Sequence, residues 1–274
     1  MSAAQGPPLS SGMSGGQGLR LTLRGIGHAY RGLQVLQDID LTVAPGEVLA
    51  LVGPSGCGKS TLLGIMGGLI APAAGVVEAH GAVADDCLNP ITYVFQDFAL
   101  LPWRSVRDNV ALPLEPHLPR AARRARVDEV LALTGLDAFA EAWPRELSGG
   151  MRQRVGIARA LAVRPACLLM DEPLSALDAQ TRTLLLEEFA GLIARAGTTT
   201  VYVTHTLSEA VRIGHEVAVM SRRPGRVRAL LRIDRPIEGR RATDPDLLAM
   251  EARIWAMIRD DAATAERERV DAAD

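Results

Sequence analysis

The sequence predicts an α/β fold in which a helical segment lies between two parts of one core. Short apolar runs alternate with amphipathic helical stretches, as at 48–52 and 59–70 and again at 167–170 and 179–195. The stretch between these two groups, about 97–163, is predicted to be mainly helical. The chain has 274 residues, 48% of them apolar and 23% charged, which is enough for a substantial globular core.

The individual elements follow from local patterns. Leu19, Leu21 and Leu23 alternate with polar residues, as in a half-buried strand. The predicted strands are 19–23, 35–43, 48–52, a strand near Val76, 91–95, 167–170, 199–204, 217–220 and 227–233. The predicted helices are 59–70, 119–133, 151–163, 179–195, 208–213 and 247–258. The last two strands form a hairpin around 223–226, where Pro224-Gly225 favours a type II turn.

The two ends of the chain differ from the core. Residues 1–18 are rich in Gly, Ser and Pro and lack the pattern of a signal peptide, so we expect a disordered leader. We assign 19–233 to one domain of two lobes, with a helical subdomain at about 97–163. Residues 234–274 form a C-terminal helix and a charged tail in this interpretation.

Composition limits the class of protein. The formal net charge of −2 argues against a nucleic-acid partner, because such domains carry a clear basic excess. Cys57, Cys87 and Cys167 are widely spaced and odd in number, which favours a reducing cytoplasm over a disulfide framework or a structural zinc site. No apolar run approaches the roughly 18 residues of a membrane-spanning helix. We therefore expect a cytosolic protein unless a partner holds it at a membrane.

The segment after the apolar run 48–52 has the pattern G-x-x-x-x-G-K-S and opens a predicted helix. This context is typical of a phosphate-binding loop, in which glycines let backbone N–H groups approach phosphates and the serine reaches Mg²⁺. An ordinary glycine-rich turn would not need so long a pattern. Cys57 is a small spacer in this interpretation. The predicted nucleotide-binding residues are Gly53, Pro54, Ser55, Gly56, Cys57, Gly58, Lys59, Ser60 and Thr61.

Lys59 is the only lysine among 30 basic residues, and all the others are arginine. A GC-rich genome explains the abundance of arginine but does not explain one lysine inside this pattern. A phosphate loop needs a slender point charge that reaches the β- and γ-phosphates, and a planar guanidinium does not fit there. The exception therefore supports the phosphate loop.

Two carboxylates, Asp171 and Glu172, directly follow the apolar run 167–170. A strand that ends in acidic residues delivers them to the edge of a sheet, where ligands bind. Asp171 is predicted to hold Mg²⁺, and Glu172 is predicted to polarise the attacking water. Taken alone, such a pair is more often a solvated strand end.

Ser148, Gly149 and Gly150 precede an arginine-rich helix, and together with the motifs above they closely resemble the signature of ABC ATPases. The resemblance extends over about 19–233. It implies a P-loop NTPase core of the ABC ATPase type, with an antiparallel β subdomain and an inserted helical subdomain. It also implies that the chain hydrolyses ATP with Mg²⁺.

By the same resemblance, Tyr30 stacks on adenine, Gln96 is the Q-loop glutamine, Asp178 belongs to the D-loop and His205 is the switch histidine. Taken singly, His205 is more often a structural histidine, and Tyr30 is more often surface packing. The expected catalytic residues are Lys59, Gln96, Glu172 and His205. The expected metal-binding residues are Ser60, Gln96 and Asp171, and the further nucleotide contacts are Tyr30, Ser148, Gly149, Gly150 and Asp178.

The resemblance also implies partners. In this family Ser148 cannot reach the phosphate loop of its own chain, so two copies would form a head-to-tail dimer that shares two sites. A multispanning permease would dock near Gln96 to Asn109, on the cytoplasmic face of the inner membrane. Pro102-Trp103-Arg104, Met151 and 223–226 resemble the nitrate, sulfonate, taurine and bicarbonate importers, which implies an external solute-binding protein.

Some alternatives stay open. Phe98, Leu100, Leu101 and Trp103 serve either as anchors for a partner or as residues buried against the helical lobe. The 214–216 segment, Gly-His-Glu, departs from the importer pattern, which weakens the inference of a substrate. The other candidate functions are import of a thiamine or riboflavin precursor and a soluble ABC ATPase of iron–sulfur assembly.

Overall fold

A computed structural model describes Leu9–Ser10 and residues 18–271 of the chain, apart from the side chains at 9–10, 194–196 and 262–271. Of the leader predicted at 1–18, residues 1–8 and 11–17 lie outside the described residues. Leu9–Ser10 forms a two-residue strand, β1, that pairs in parallel with 79–80.

A six-stranded sheet forms the centre of the larger lobe. Its strands are β4 (Val48–Val52), β6 (Ile91–Val94), β7 (Cys167–Asp171), β8 (Thr199–Val203), β9 (Glu216–Met220) and β10 (Val227–Arg232). They lie in the order β10-β9-β4-β8-β7-β6 and are parallel except for the β9–β10 hairpin. All five residues of β4 are buried, as expected for a central parallel strand covered on both faces.

A second sheet has four strands and covers one side of the first. Its strands are β1, β2 (Arg20–Tyr30), β3 (Leu33–Val43) and β5 (Ala74–His80), in the order β1-β5-β2-β3. β2 pairs antiparallel with β3 and with β5, so the antiparallel β subdomain is present as predicted. Buried residues of both sheets, such as Leu21 and Leu51, share one apolar cluster.

Seven α-helices complete the described residues. They are α1 (Lys59–Met66), α2 (Val106–Ala111), α3 (Arg120–Leu133), α4 (Gly149–Ala162), α5 (Ala179–Ala196), α6 (Leu207–Ile213) and α7 (Pro245–Asp271). Short 3-10 turns occur at Leu112–Leu114, Asp137–Phe139 and Pro144–Glu146. α2, α3 and α4 enclose an apolar cluster of their own, which makes the helical lobe a distinct packing unit.

Several predicted bounds need correction. α1 ends at Met66 rather than at residue 70, because Gly67 and Gly68 terminate it and Gly68 has a left-handed φ of 73°. α4 begins two residues before the predicted start, and α7 extends well beyond residue 258. α2 was not predicted at all, since six residues are too few for a helical period to show.

The predicted type II turn at Pro224-Gly225 is wrong. A type II turn places its third residue at positive φ, and Gly225 does not have positive φ; the Arg223–Pro224 peptide is cis. Gly225 is required for another reason. A Cβ at this position would collide with the carbonyl oxygen of Cys57, so the turn packs directly against the phosphate loop.

Among the described residues, no helix combines the length and the apolar character that crossing a bilayer requires.

Candidate functional site

The phosphate-loop pattern lies between β4 and α1, at the carboxyl edge of the six-stranded sheet. Lys59 begins α1 and is only 7% exposed. Its Nζ donates hydrogen bonds to the carbonyl oxygens of Gly53, at 2.9 Å, and Pro54, at 3.1 Å. The loop therefore folds around the ammonium group and holds it at the N-terminus of a helix, where an anion is favoured.

Glycines in the loop are required by backbone geometry. Gly58 has a φ of 103°, and a Cβ there would lie 2.7 Å from Leu36 of the second sheet. Gly56 also has a left-handed φ, at 74°. The Cys57 thiol is buried, which raises its pKa and keeps it protonated. The Cys57 side chain packs in the core. Only the backbone of Cys57 could therefore contact a nucleotide.

An oxygen pair suited to a hard cation lies beside the loop. Ser60 Oγ donates to Asp171 Oδ1 at 3.1 Å. Burial raises the pKa of Asp171, and the Ser60 hydrogen bond opposes this shift. Within residues 9–10 and 18–271, no group of three or more His, Cys, Asp or Glu could hold a metal. The pair nevertheless fits Mg²⁺, which often takes one or two protein oxygens together with substrate phosphates and water.

Glu172 and His205 are in contact. Glu172 Oε2 lies 3.0 Å from His205 Nδ1. Glu172 has a left-handed φ of 45°, an unusual conformation for a residue other than glycine. Its N–H donates to the carbonyl of Val203, the last residue of β8. Because β7 and β8 are parallel neighbours, their carboxyl ends bring the two side chains to the same edge of the sheet as Lys59.

Two further predicted residues, Gln96 and Tyr30, lie at or just beyond the ends of strands of different sheets. Gln96 is exposed two residues beyond β6, at the same sheet edge as Asp171. Tyr30 ends β2 in the other sheet and is 47% exposed. Its ring packs edge-to-face on His28, with 4.7 Å between ring centroids. A tyrosine ring that is this exposed can stack on an aromatic base.

Ser148 and Asp178 cap helices. Ser148 is the N-cap of α4, where its Oγ accepts from the Met151 N–H at 3.2 Å. Asp178 is the N-cap of α5, and its bonds from the backbone N–H groups of Gln180 and Thr181 lower its pKa. In the part of the chain that the structure describes, no hydrogen bond or ion pair joins Ser148 to the phosphate loop.

Gly149 and Gly150 form the first turn of α4. A Cβ on Gly150 would lie 2.9 Å from the methyl group of Thr181 in α5, so the signature turn packs closely on the helix that follows the D-loop. The first N–H groups of a helix have no partner within the helix, which makes this N-terminus a favourable place for an anion.

The loop after Gln96 combines packing with exposure. Arg159 in α4 donates to the carbonyls of Phe98 and Ala99, at 2.9 and 2.7 Å. The buried Asn109 side chain exchanges two hydrogen bonds with the backbone of Leu101. Trp103 lies between these anchors and is 68% exposed. Leu100 is half-buried against the helical lobe and Phe98 is half-buried beneath Arg152, as the burial alternative predicts for these two residues. The exposed Trp103 leaves the partner alternative as a prediction.

Sequence reasoning missed two residues near the site, Arg182 in α5 and Glu209 in α6. Glu209 is 5% exposed and accepts hydrogen bonds from Tyr202 and Thr204. The sequence signal that could have identified Glu209 is its position four residues after His205. A pattern of charged residues does not show which carboxylate is buried.

Comparison with known proteins decides the family. The family described as ABC transporter matches residues 36–175, half of the chain. The chain belongs to the ABC transporter family. This result confirms the resemblance inferred from the phosphate loop and from Ser148, and with it the P-loop ABC ATPase fold and the ATPase class.

Relatives and solved structures agree with the family. The cassette is 48% identical over 214 residues to the aliphatic sulfonates import ATP-binding protein SsuB of Ralstonia nicotianae, covering 77% of this chain and 73% of that one. It is 43% identical over 205 residues to the nitrate import ATP-binding protein NrtC of Synechococcus elongatus, covering 73% of this chain but only 31% of the longer relative. The dimeric post-hydrolysis structure of the ATP-binding cassette MJ0796, bound to ADP and Pi, matches with a TM-score of 0.66 and 34% identity. That match covers 77% of this chain and 98% of MJ0796.

Proposed function

We propose that this cassette is the ATP-hydrolysing subunit of an importer for a small anion or organic solute such as nitrate, a sulfonate or taurine. The observation that carries the hydrolytic part is the 3.0 Å contact between Glu172 and His205 beside the Ser60–Asp171 pair. The import part rests on the identity to the nitrate and sulfonate relatives over most of this chain.

Each residue at the sheet edge has a distinct task in this proposal. Lys59 and the loop N–H groups bind the β- and γ-phosphates of ATP, and Tyr30 stacks on the adenine. Ser60, Asp171 and Gln96 would hold Mg²⁺, which would supply positive charge to offset that of the phosphates. Glu172 accepts a proton from the attacking water. His205 orients Glu172 through Nδ1 and donates to the γ-phosphate from its other ring nitrogen.

A second copy of the chain completes each site. Ser148 and the N–H groups of Gly149 and Gly150 belong to the helical lobe, and within the described residues they make no hydrogen bond to the phosphate loop of their own chain. In a head-to-tail dimer they bind the γ-phosphate held by Lys59 of the other copy, and Asp178 lies at the same interface. The dimeric state of the MJ0796 cassette supports this arrangement.

A membrane partner uses the energy of hydrolysis. The exposed Trp103 is held on a loop that begins at Gln96 and is anchored by Asn109. In this proposal, a contact at Trp103 acts on Gln96 through the loop. We assign this loop to docking of a multispanning permease at the cytoplasmic face of the inner membrane. A solute-binding protein outside the membrane would deliver the substrate.

Co-purification tests this assignment. The tagged chain is expressed in its own cells and extracted in mild detergent. It should be recovered together with a multispanning permease, and the Trp103→Ala variant should be recovered without that permease. Recovery with a soluble scaffold instead would favour an assembly ATPase and would exclude the importer.

A further inference from the structure

Glu209 is a buried carboxylate that neither the phosphate loop nor the Mg²⁺ pair uses. Its Oε2 accepts from the Tyr202 hydroxyl at 3.0 Å and from Thr204 Oγ1 at 2.8 Å. Burial and the neighbouring Glu209 raise the pKa of Tyr202, so its phenol remains a donor. A charge removed from water is strongly destabilising unless it is paired and hydrogen-bonded. Glu209 is therefore held by several specific partners.

The Thr204 hydroxyl connects Glu209 to the turn that carries His205. Thr204 is 2% exposed, and its Oγ1 donates to Glu209 while accepting from the N–H of Thr206 at 3.0 Å. His205 lies between these two threonines. The Thr204 hydroxyl therefore links the histidine turn to Glu209, in addition to the backbone hydrogen bond from the Thr204 N–H to the Leu51 carbonyl at 3.2 Å.

Arg182 connects the same carboxylate to the segment after Glu172. Its Nε lies 3.7 Å from Glu209 Oε1. Its guanidinium donates to the carbonyls of Leu174, at 3.3 Å, and Leu177, at 2.7 Å. These residues belong to the turn that directly follows Glu172, whose own carbonyl accepts from Ser175.

We propose that Arg182 and Glu209 are positioning residues that hold the Glu172 and His205 turns in register across α5 and α6. The inference rests on the catalytic roles proposed for Glu172 and His205. None of the hydrogen bonds described for Arg182 and Glu209 involves the phosphate loop. Loss of the pair therefore lowers the rate of hydrolysis and leaves ATP affinity nearly unchanged.

The first test measures kcat and the ATP dissociation constant of the purified full chain carrying Glu209→Gln. We expect kcat to fall at least tenfold while the dissociation constant changes less than threefold. Glu187→Gln is the matched control, because Glu187 and Arg212 form a second α5–α6 ion pair, at 2.8 Å. Among the described residues, no side-chain hydrogen bond joins this pair to either turn. The kcat and the ATP dissociation constant of Glu187→Gln should both stay within twofold of the wild-type values. A wild-type kcat for Glu209→Gln, or parallel losses of kcat and affinity, would overturn the proposal.

The second test remains informative if Glu209→Gln fails to fold. Thr204→Val preserves the shape of the side chain and removes its hydroxyl, whereas Thr204→Ser keeps the hydroxyl and removes a methyl group. The proposal predicts low kcat for Val and recovery of kcat for Ser. The reverse order would show that Thr204 acts only through packing and would contradict the proposal.

A third variant separates this inference from the proposed function. Glu172→Gln should abolish hydrolysis whether or not Glu209 positions anything. If Glu172→Gln hydrolyses ATP normally, the proposed role of Glu172 fails. If Glu172→Gln is inactive while Glu209→Gln and Thr204→Val are fully active, only the positioning role fails.

Discussion

Replacing Gly225 by Ala should displace the phosphate loop, although Gly225 itself lies outside the loop. The added Cβ would lie well under 3.0 Å from the Cys57 carbonyl oxygen, a separation that real Cβ atoms essentially never show. The turn and the loop must then separate by roughly 1 Å to restore normal van der Waals contact. That movement strains the bond from the Gly225 N–H to Val35 O, at 2.8 Å, and the bond from the Gln37 N–H to Gly225 O, at 3.0 Å.

Each backbone hydrogen bond contributes about 0.5–1.5 kcal/mol, so we expect a loss of about 1–3 kcal/mol in the free energy of unfolding. Displacement of a binding loop by about 1 Å should also weaken ATP binding by roughly ten- to a hundredfold.

Thermal unfolding and ATP titration of the full chain measure both effects. The control is Gly156→Ala in α4, where the nearest heavy atom lies 3.8 Å from the added Cβ and alanine favours the helix. Gly156→Ala should be neutral or slightly stabilising. Wild-type stability and ATP affinity for Gly225→Ala would refute the claim that this turn supports the loop.

Three further outcomes are expected. Lys59→Ala should lose ATP affinity in a direct binding assay, and Lys59→Arg should lose it as well, since a guanidinium does not fit the loop; unchanged binding by the Arg variant would contradict the argument from the single lysine. Trp103→Ala should uncouple transport in reconstituted vesicles while isolated ATPase activity stays within about twofold, and equal loss of both would indicate a core role for the tryptophan. His215 accepts from the Val48 N–H at 2.9 Å, and burial lowers its pKa, so its stabilisation is present above about pH 6.5 and is lost as the pH falls through that value towards the lower folded pKa. Unfolding temperatures from pH 7 to pH 5 should therefore fall more for wild type than for His215→Asn, and parallel curves would exclude this contribution.

The sequence predicts most of the strands because the strands of the parallel core are uninterrupted runs of apolar residues. Val48–Val52 is entirely buried, and Cys167–Asp171 ends in the expected carboxylate. The bounds of α1 and the existence of α2 were harder to predict. Glycine termination and a six-residue helix leave weak periodic signals, whereas the capping hydroxyl of Ser105 becomes meaningful only in the folded chain.

The contacts within the site could not be read from sequence in the same way. Glu172 and His205 meet because β7 and β8 are neighbours, and strand order depends on the whole topology. The burial of Glu209 depends on how α6 packs, which a pattern of charges does not reveal. The type II turn was wrong because the local preference of Pro-Gly yields to the packing of Gly225 on Cys57. The roles of the individual site residues stay predictions.

Glu172→Gln tests the central claim most directly, that one carboxylate at the end of β7 drives hydrolysis in a site shared by two copies. Single-turnover hydrolysis measures the role of Glu172, and size-exclusion chromatography with MgATP measures formation of the dimer. The variant should bind ATP like wild type, lose at least a hundredfold in hydrolysis and accumulate as a nucleotide-bound dimer. Normal turnover by a monomeric variant would contradict both the role of Glu172 and the shared site.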